Sequence, residues 1–188
     1  MKRRALILGG VAAAIVPACT PSKFKRYNGP AVTFVVVNKS QRQMFLLHKD
    51  RVLKAYTIDL GFAPIGHKFF EGDGRTPEGV YLIDRRNPNS KFHLSVGISY
   101  PNEKDRAFAE ELGKSPGGDI FIHGNSEKRK KGQNDWTWGC IAVTDKEIED
   151  IYAMVGDGTP IQINPAAGLV DYSLVSTIPA ASSDDAVV

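Results

Sequence analysis

Val32-Thr33-Phe34-Val35-Val36-Val37 opens the stretch that decides the fold, a β-branched run that ends at Asn38. Side chains branched at Cβ suit a pleated, half-buried surface better than a helix. Gln43 to His48 and Val52 to Asp59 follow as two further short runs, with turn residues at Asn38-Lys39-Ser40 and at Lys49-Asp50. Links this short join antiparallel neighbours, so the spacing predicts a meander of three strands. Val80 to Asp84, Phe92 to Ile98 and Asp119 to His123 read as more strands, and Pro160 to Asn164 returns as the last. The strands are too short and too closely spaced for alternating β-α-β units. The expectation is a mainly β domain with one or two helices.

The stronger helix signal follows Cys140. Thr144-Asp145-Lys146-Glu147 is a capping box, with Thr144 as N-cap and Glu147 reaching back to its amide. Ile148, Ile151, Tyr152 and Val155 then recur on one face, and Gly156 is expected to close the helix. Glu103 to Leu112 predicts a shorter helix that stops at Gly113. The turn-rich loop from Glu71 to Gly79 lacks the Gly-Lys-Ser/Thr ending of a phosphate loop.

With 188 residues, 42% hydrophobic and 24% charged, the chain has the length and balance of one globular domain. The formal charge of +3 is carried by Lys2, Arg3 and Arg4, since no acidic residue precedes Asp50. Residues 1–18 read as a signal peptide: a basic start, an apolar run from Ala5 to Val16, then Val16-Pro17-Ala18 for cleavage. That run is short for a membrane span. Without it the remainder is formally neutral, which gives no electrostatic case for nucleic acid as a partner. Cys19 would become the first residue, in a lipobox-like setting that predicts lipidation and a membrane anchor; plain secretion is the alternative. Arg3-Arg4 also suggests twin-arginine export, although the flanking residues match that signal poorly. Residues 19–30 read as a linker, 31–164 as the folded domain and 165–188 as a loosely held tail.

Two segments carry chemistry, Gly118-Asp119-Ile120-Phe121-Ile122-His123-Gly124 and Trp136-Thr137-Trp138-Gly139-Cys140-Ile141-Ala142-Val143. A thiol attacks carbonyls as thiolate and needs a base, and His is the side chain suited to that near neutral pH. Glycines beside both groups allow backbone amides to approach an oxyanion. The bland alternatives are a buried Cys140 acting as a small hydrophobe, or a Cys19–Cys140 disulfide. The chain has no Cys-x-x-Cys and no His-Glu-x-x-His, so no metal is expected.

Together these segments resemble the YkuD-type L,D-transpeptidase catalytic domain over roughly residues 31–164. Its hallmark is a His-Gly segment, a loop, then Ser/Thr-His-Gly-Cys; here Ile122-His123-Gly124, Thr137-x-Gly139-Cys140-Ile141 and Gly158-Thr159-Pro160-Ile161-Gln162-Ile163 match in order. Gly66-His67-Lys68, Glu71 through Tyr81 and Ser99-Tyr100-Pro101-Asn102 are similar to the YafK-like branch. Trp138 replaces the family's His before Gly-Cys, and Ala142 replaces its Arg.

The resemblance implies a single β-barrel or sandwich catalytic domain, an exported location in the periplasm or cell envelope, and no cofactor. It implies that Cys140 attacks a peptidoglycan stem peptide at its third residue, typically meso-diaminopimelate, and expels D-alanine. His123 would be the base, oriented by the Gly124 carbonyl. The thioester would pass to an amine, giving a 3-3 cross-link or attaching a lipoprotein. Water as acceptor, which releases attached lipoprotein or trims stems, is the alternative; a silent wall-binding lipoprotein is the second. Gly139, Trp138 and His67 are the candidates for oxyanion and substrate contacts. For His67 a loop-stabilising hydrogen bond is the competing reading, and for Trp136 and Trp138 aromatic packing. Lys128-Arg129-Lys130-Lys131 reads as a solvated loop tip.

Overall fold

All five residues of β1 (Phe34–Asn38) are buried, which explains why its sequence is apolar without alternation. Val35 and Val37 point into the main core, whereas Phe34 and Val36 pack with Leu47 and Phe45 in a small cluster on the other face. The computed structural model describes residues 22–124 and 134–165. The expected signal peptide with Cys19, the Lys128–Lys131 run and the tail after Pro165 lie outside the described residues.

The meander is borne out: β2 (Gln43–His48) pairs antiparallel with β1 and with β3 (Arg51–Thr57). β4 (Gly79–Asn87), β5 (Ser95–Ile98) and β6 (Phe121–His123) form a second antiparallel run. β7 (Ile141–Ala142) pairs parallel with β6, and β8 (Pro160–Asn164) lies between β1 and β4. The order is β3-β2-β1-β8-β4-β5-β6-β7. This sheet curls on itself, because the chain just past β3 reaches the far edge: Asp59 and Ala142 exchange two backbone hydrogen bonds of 2.9 Å. The bridge covers the β7 edge, and the curled sheet encloses a core of Ile83, Leu94, Val96, Ile122, Ile141 and Ile161, among others.

Two strand starts expected from the sequence move inward. Phe92 and His93 precede β5, with His93 at φ 71°, and Asp119 precedes β6 at φ 55°; neither backbone is extended. α1 (Glu103–Glu111) starts on an unforeseen capping box, Asn102 with Asp105, and ends against Gly113 at φ 64°. α2 (Asp145–Met154) has the predicted Thr144–Glu147 box and buries Ile148, Ile151 and Met154. It does not end on a left-handed Gly156; Val155 turns to extended backbone at φ −97°, ψ 119° and buries its side chain in the core.

Lys39, immediately after β1, is 2% exposed and donates to Gly66 O, Thr76 O and Glu78 Oε1 at 2.6, 2.8 and 2.8 Å. Burial pushes its pKa down, and Glu78 pulls the other way. Lys39→Met is expected to cost about 3 kcal/mol, because it leaves two carbonyls and a carboxylate without their donor. The measurement is the urea midpoint. A variant that unfolds with the wild type would mean that the clamp contributes nothing.

Candidate active site

His123 ends β6 and Cys140 directly precedes β7, and the parallel pairing sets His123 opposite Ala142. Side chains alternate along a strand, so Cys140 shares a face with Ala142 and hence with His123. Both line one cleft of about 500 Å³, with Asn87, Lys91, Phe92 and Asp119. Cys140 also lines a second cleft of about 420 Å³ with Lys68, Glu71, Asp119 and Trp138. The half-buried thiol therefore stands where two clefts meet.

The imidazole is held from three sides. His123 is 3% exposed, stacks on Phe92 at 4.4 Å between centroids and meets the edge of Trp136 at 5.8 Å. Its Nδ1 lies 2.7 Å from Gly124 O, an acceptor only, so Nδ1 carries the proton and Nε2 keeps its lone pair. Gly124 is closely packed: a Cβ there would stand 2.7 Å from Asp145 Oδ1 and 2.8 Å from Ile148, so a larger residue would force those side chains to shift.

The nucleophile segment is fastened to the chain beyond β3. Arg42 grips Asp135 with Nε and one terminal nitrogen, and Asp135 Oδ1 accepts from Leu60 N at 3.0 Å. Trp136 Nε1 donates to Asp59 Oδ2 at 3.2 Å. Thr137 Oγ1 donates to Cys140 O at 2.7 Å and accepts from Gly139 N at 3.1 Å, closing the turn into the cysteine. Gly139 sits at φ 123°, and a Cβ would come 2.6 Å from Arg75 O, so only glycine fits. With its amide on Thr137, Gly139 acts here through shape. The Cys140 thiol donates to Asp119 O at 3.5 Å.

Trp138 is 73% exposed on the second cleft and packs edge-on against Phe62 at 5.0 Å. His67 lies apart from both clefts. Its Nδ1 accepts from Glu78 N at 3.0 Å and its Nε2 meets Asp105 Oδ1 at 3.0 Å, which ties the loop before β4 to α1. It borders instead a groove of about 970 Å³ beside α1, with Phe69 and Phe108. The loop-stabilising reading of His67 fits these contacts, and the substrate-contact reading finds no support at Cys140. Phe92 and the Arg42–Asp135 pair were not foreseen, and no local pattern marks them, since each acts on a residue distant in sequence. Thr137 stands in the motif, but its part in closing the turn emerges only from its two hydrogen bonds.

Burial lowers the His123 pKa below its ordinary value, with the bond to Gly124 O opposing. Burial raises the Cys140 pKa, Asp119 adds to the rise, and the Phe121 amide, Lys68 and Arg85 oppose it. The resting pair at neutral pH is therefore a neutral thiol beside a neutral imidazole. Alkylation of Cys140 by iodoacetamide is expected to climb with pH through and beyond the ordinary thiol range. A plateau already reached below pH 7 would reveal a preformed thiolate–imidazolium pair and overturn this assignment.

Comparison with known proteins identifies the family. The family model described as YkuD, L,D-transpeptidase catalytic domain, matches residues 32–163. YafK of Escherichia coli (strain K12), a provisionally named L,D-transpeptidase, is 28% identical over 128 residues, 65% of this chain and 46% of its own length. The chain thus spans about half the length of the curated relatives it matches. Among solved structures, the helical cell shape determining protein Pgp2 from Campylobacter jejuni is similar with TM-score 0.59 and 24% identity, over 76% of this chain and 51% of that one. Bd1075 of Bdellovibrio bacteriovorus gives TM-score 0.53 and 23% identity, over 77% and 51%. At these identities the structural likenesses speak for the fold.

Proposed function

The chain belongs to the YkuD family of L,D-transpeptidase catalytic domains, and from that premise we propose that it carries out cysteine-dependent acyl transfer on peptidoglycan stem peptides. The observation that supports this reading is a thiol and an imidazole on one face of adjoining strands, with the imidazole Nε2 free to take a proton. In the first half-reaction His123 Nε2 removes the Cys140 proton as Sγ attacks the carbonyl carbon of the third stem residue. Collapse breaks the C–N bond, His123 returns the proton to the leaving D-alanine amine, and a thioester remains. In the second half-reaction an amine enters by the other cleft, attacks the thioester carbonyl carbon and loses a proton to His123 as the new C–N bond forms. The C–S bond then breaks, and the proton goes back to sulfur.

Cleavage of the first bond and choice of acceptor are read in one experiment. Protein is incubated with tetrapeptide stems, and the products are weighed by mass spectrometry. Release of D-alanine with dimer masses supports transpeptidation. Release with tripeptide stems alone makes water the acceptor, and no release at all would sink the reading. For Trp138, exposed on the second cleft, we propose a substrate wall that takes no part in proton transfer, because indole has no acid or base function near neutral pH.

We also propose that residues 1–18 direct export and that Cys19 is lipidated, holding the domain at the membrane within reach of the wall. The support is the basic start, the short apolar run and Ala18-Cys19. Labelling with a fatty-acid analogue is expected to mark the wild type and miss Cys19→Ala. An unlabelled wild type would leave secretion without an anchor.

A further inference from the structure

Two buried lysines grip the loop that runs from Gly66 to Glu78, and they are not equivalent. Lys39 is saturated: its three donors meet Gly66 O, Thr76 O and Glu78 Oε1. Lys68, 3% exposed, donates to Phe70 O at 3.0 Å and to Asp73 Oδ1 at 2.9 Å. An ammonium has three N–H groups, and the third finds no acceptor among the described residues.

Nor does the loop depend on Lys68 for its turn. Asp73 Oδ2 already accepts from Phe69 N at 2.7 Å and Phe70 N at 3.3 Å, and Oδ1 accepts from Arg75 N at 3.0 Å. Those three amides close the turn, and together with the Lys68 ammonium they hold the Asp73 carboxyl below its ordinary pKa against the opposing cost of burial. Lys68 thus adds a buried ion pair to a turn that backbone amides already close. Its place, however, is the wall of the second cleft, together with Cys140, Gly117, Gly118 and Trp138. A buried cation in the wall of the cleft that holds the nucleophile, paired with Asp73 yet with one donor unused, keeps a charge-assisted hydrogen bond for an acceptor on the substrate.

We propose that Lys68 is a specificity-determining residue that binds a carboxylate of the peptide substrate beside the scissile amide bond. This rests on the acyl-transfer reading above and deepens it. A tetrapeptide stem carries two carboxylates near that bond, one ending the D-alanine and one on the side chain of the diamino acid. They share one chemistry, and the test separates them.

The substrates are a tetrapeptide with both carboxylates free, one amidated at the terminal D-alanine and one amidated on the diamino acid. Release of D-alanine or its amide gives kcat/KM for the wild type, Lys68→Met and Lys68→Arg. The wild type is expected to lose about 10- to 100-fold on one of the two amides. Lys68→Met is expected to lose a similar factor on the free substrate and nothing further on that amide, so the selectivity ratio falls to about one. Lys68→Arg is expected to keep part of the ratio. A merely structural lysine would change rates on every substrate alike and leave the ratio at its wild-type value, which would overturn the proposal. A wild type indifferent to both amides would overturn it as well, and that arm needs no variant to fold. Failure of the wild type to process any stem peptide is a different result, and it removes the acyl-transfer reading beneath.

Discussion

Cys140→Ala is expected to abolish release of D-alanine from stem peptides, with a loss of at least about 10⁴-fold in turnover. Among the described residues, Cys140 is the only thiol, and the clefts it lines otherwise present carboxylates, lysines and the indole of Trp138, none of which matches a thiol as an acyl acceptor. The fold should tolerate the change. The half-buried thiol makes only weak contacts, to Asp119 O and with the Phe121 amide, while the turn before it is held through Thr137 and the Cys140 carbonyl. The variant is therefore expected to melt within a few degrees of the wild type and to show no thioester mass with substrate. Substantial turnover by a folded Cys140→Ala protein would remove the covalent mechanism altogether.

His123→Gln is expected to lower turnover at neutral pH by about 10²–10⁴-fold, the range that a positioned base contributes. The reason is specific to this site. Burial favours the protonated thiol and the unprotonated imidazole, so in the proposed mechanism the proton leaves Cys140 as attack begins and Nε2 takes it. Without that base the thiol must ionise into solvent, and residual activity should rise steadily with pH into the alkaline range. The wild type should have its base ready at neutral pH. Because thiol and imidazole act as one unit, combining His123→Gln with Cys140→Ala should cost little more than Cys140→Ala alone. Turnover by His123→Gln within tenfold of the wild type at pH 7 would assign the base elsewhere.

Much of this site could be read along the chain. His123-Gly124 and Gly139-Cys140 stand in family order, and at 139 the need for glycine is visible in the backbone, where a Cβ would meet Arg75 O. The Thr144–Glu147 box was equally legible, because its partners are three residues apart. The stack of Phe92 on His123 was not, since the two rings are distant in sequence and no periodicity links them. Lys68 and Lys39 look alike as letters in a loop. Only the count of acceptors around each ammonium separates a clamp from a cation with a donor to spare. His67 was drawn toward the substrate by its place in a motif, whereas its ring is spent on Glu78 N and Asp105.

The sequence by itself determined what depends on neighbours within a few residues: extended backbone in the β-branched run at 34–37, the start of α2, and the need for a base beside a reactive thiol. Tertiary structure decided what depends on which segments meet. β8 runs parallel to β1, the chain past β3 closes the sheet on Ala142, and β7 lies against β6 so that Cys140 shares a cleft with His123. Local propensity arises from sterics and hydrogen bonds that a short peptide already feels. Strand partners far apart in sequence are chosen by the apolar surface that the whole sheet can bury and by the edges that it can close, and no single segment carries that information.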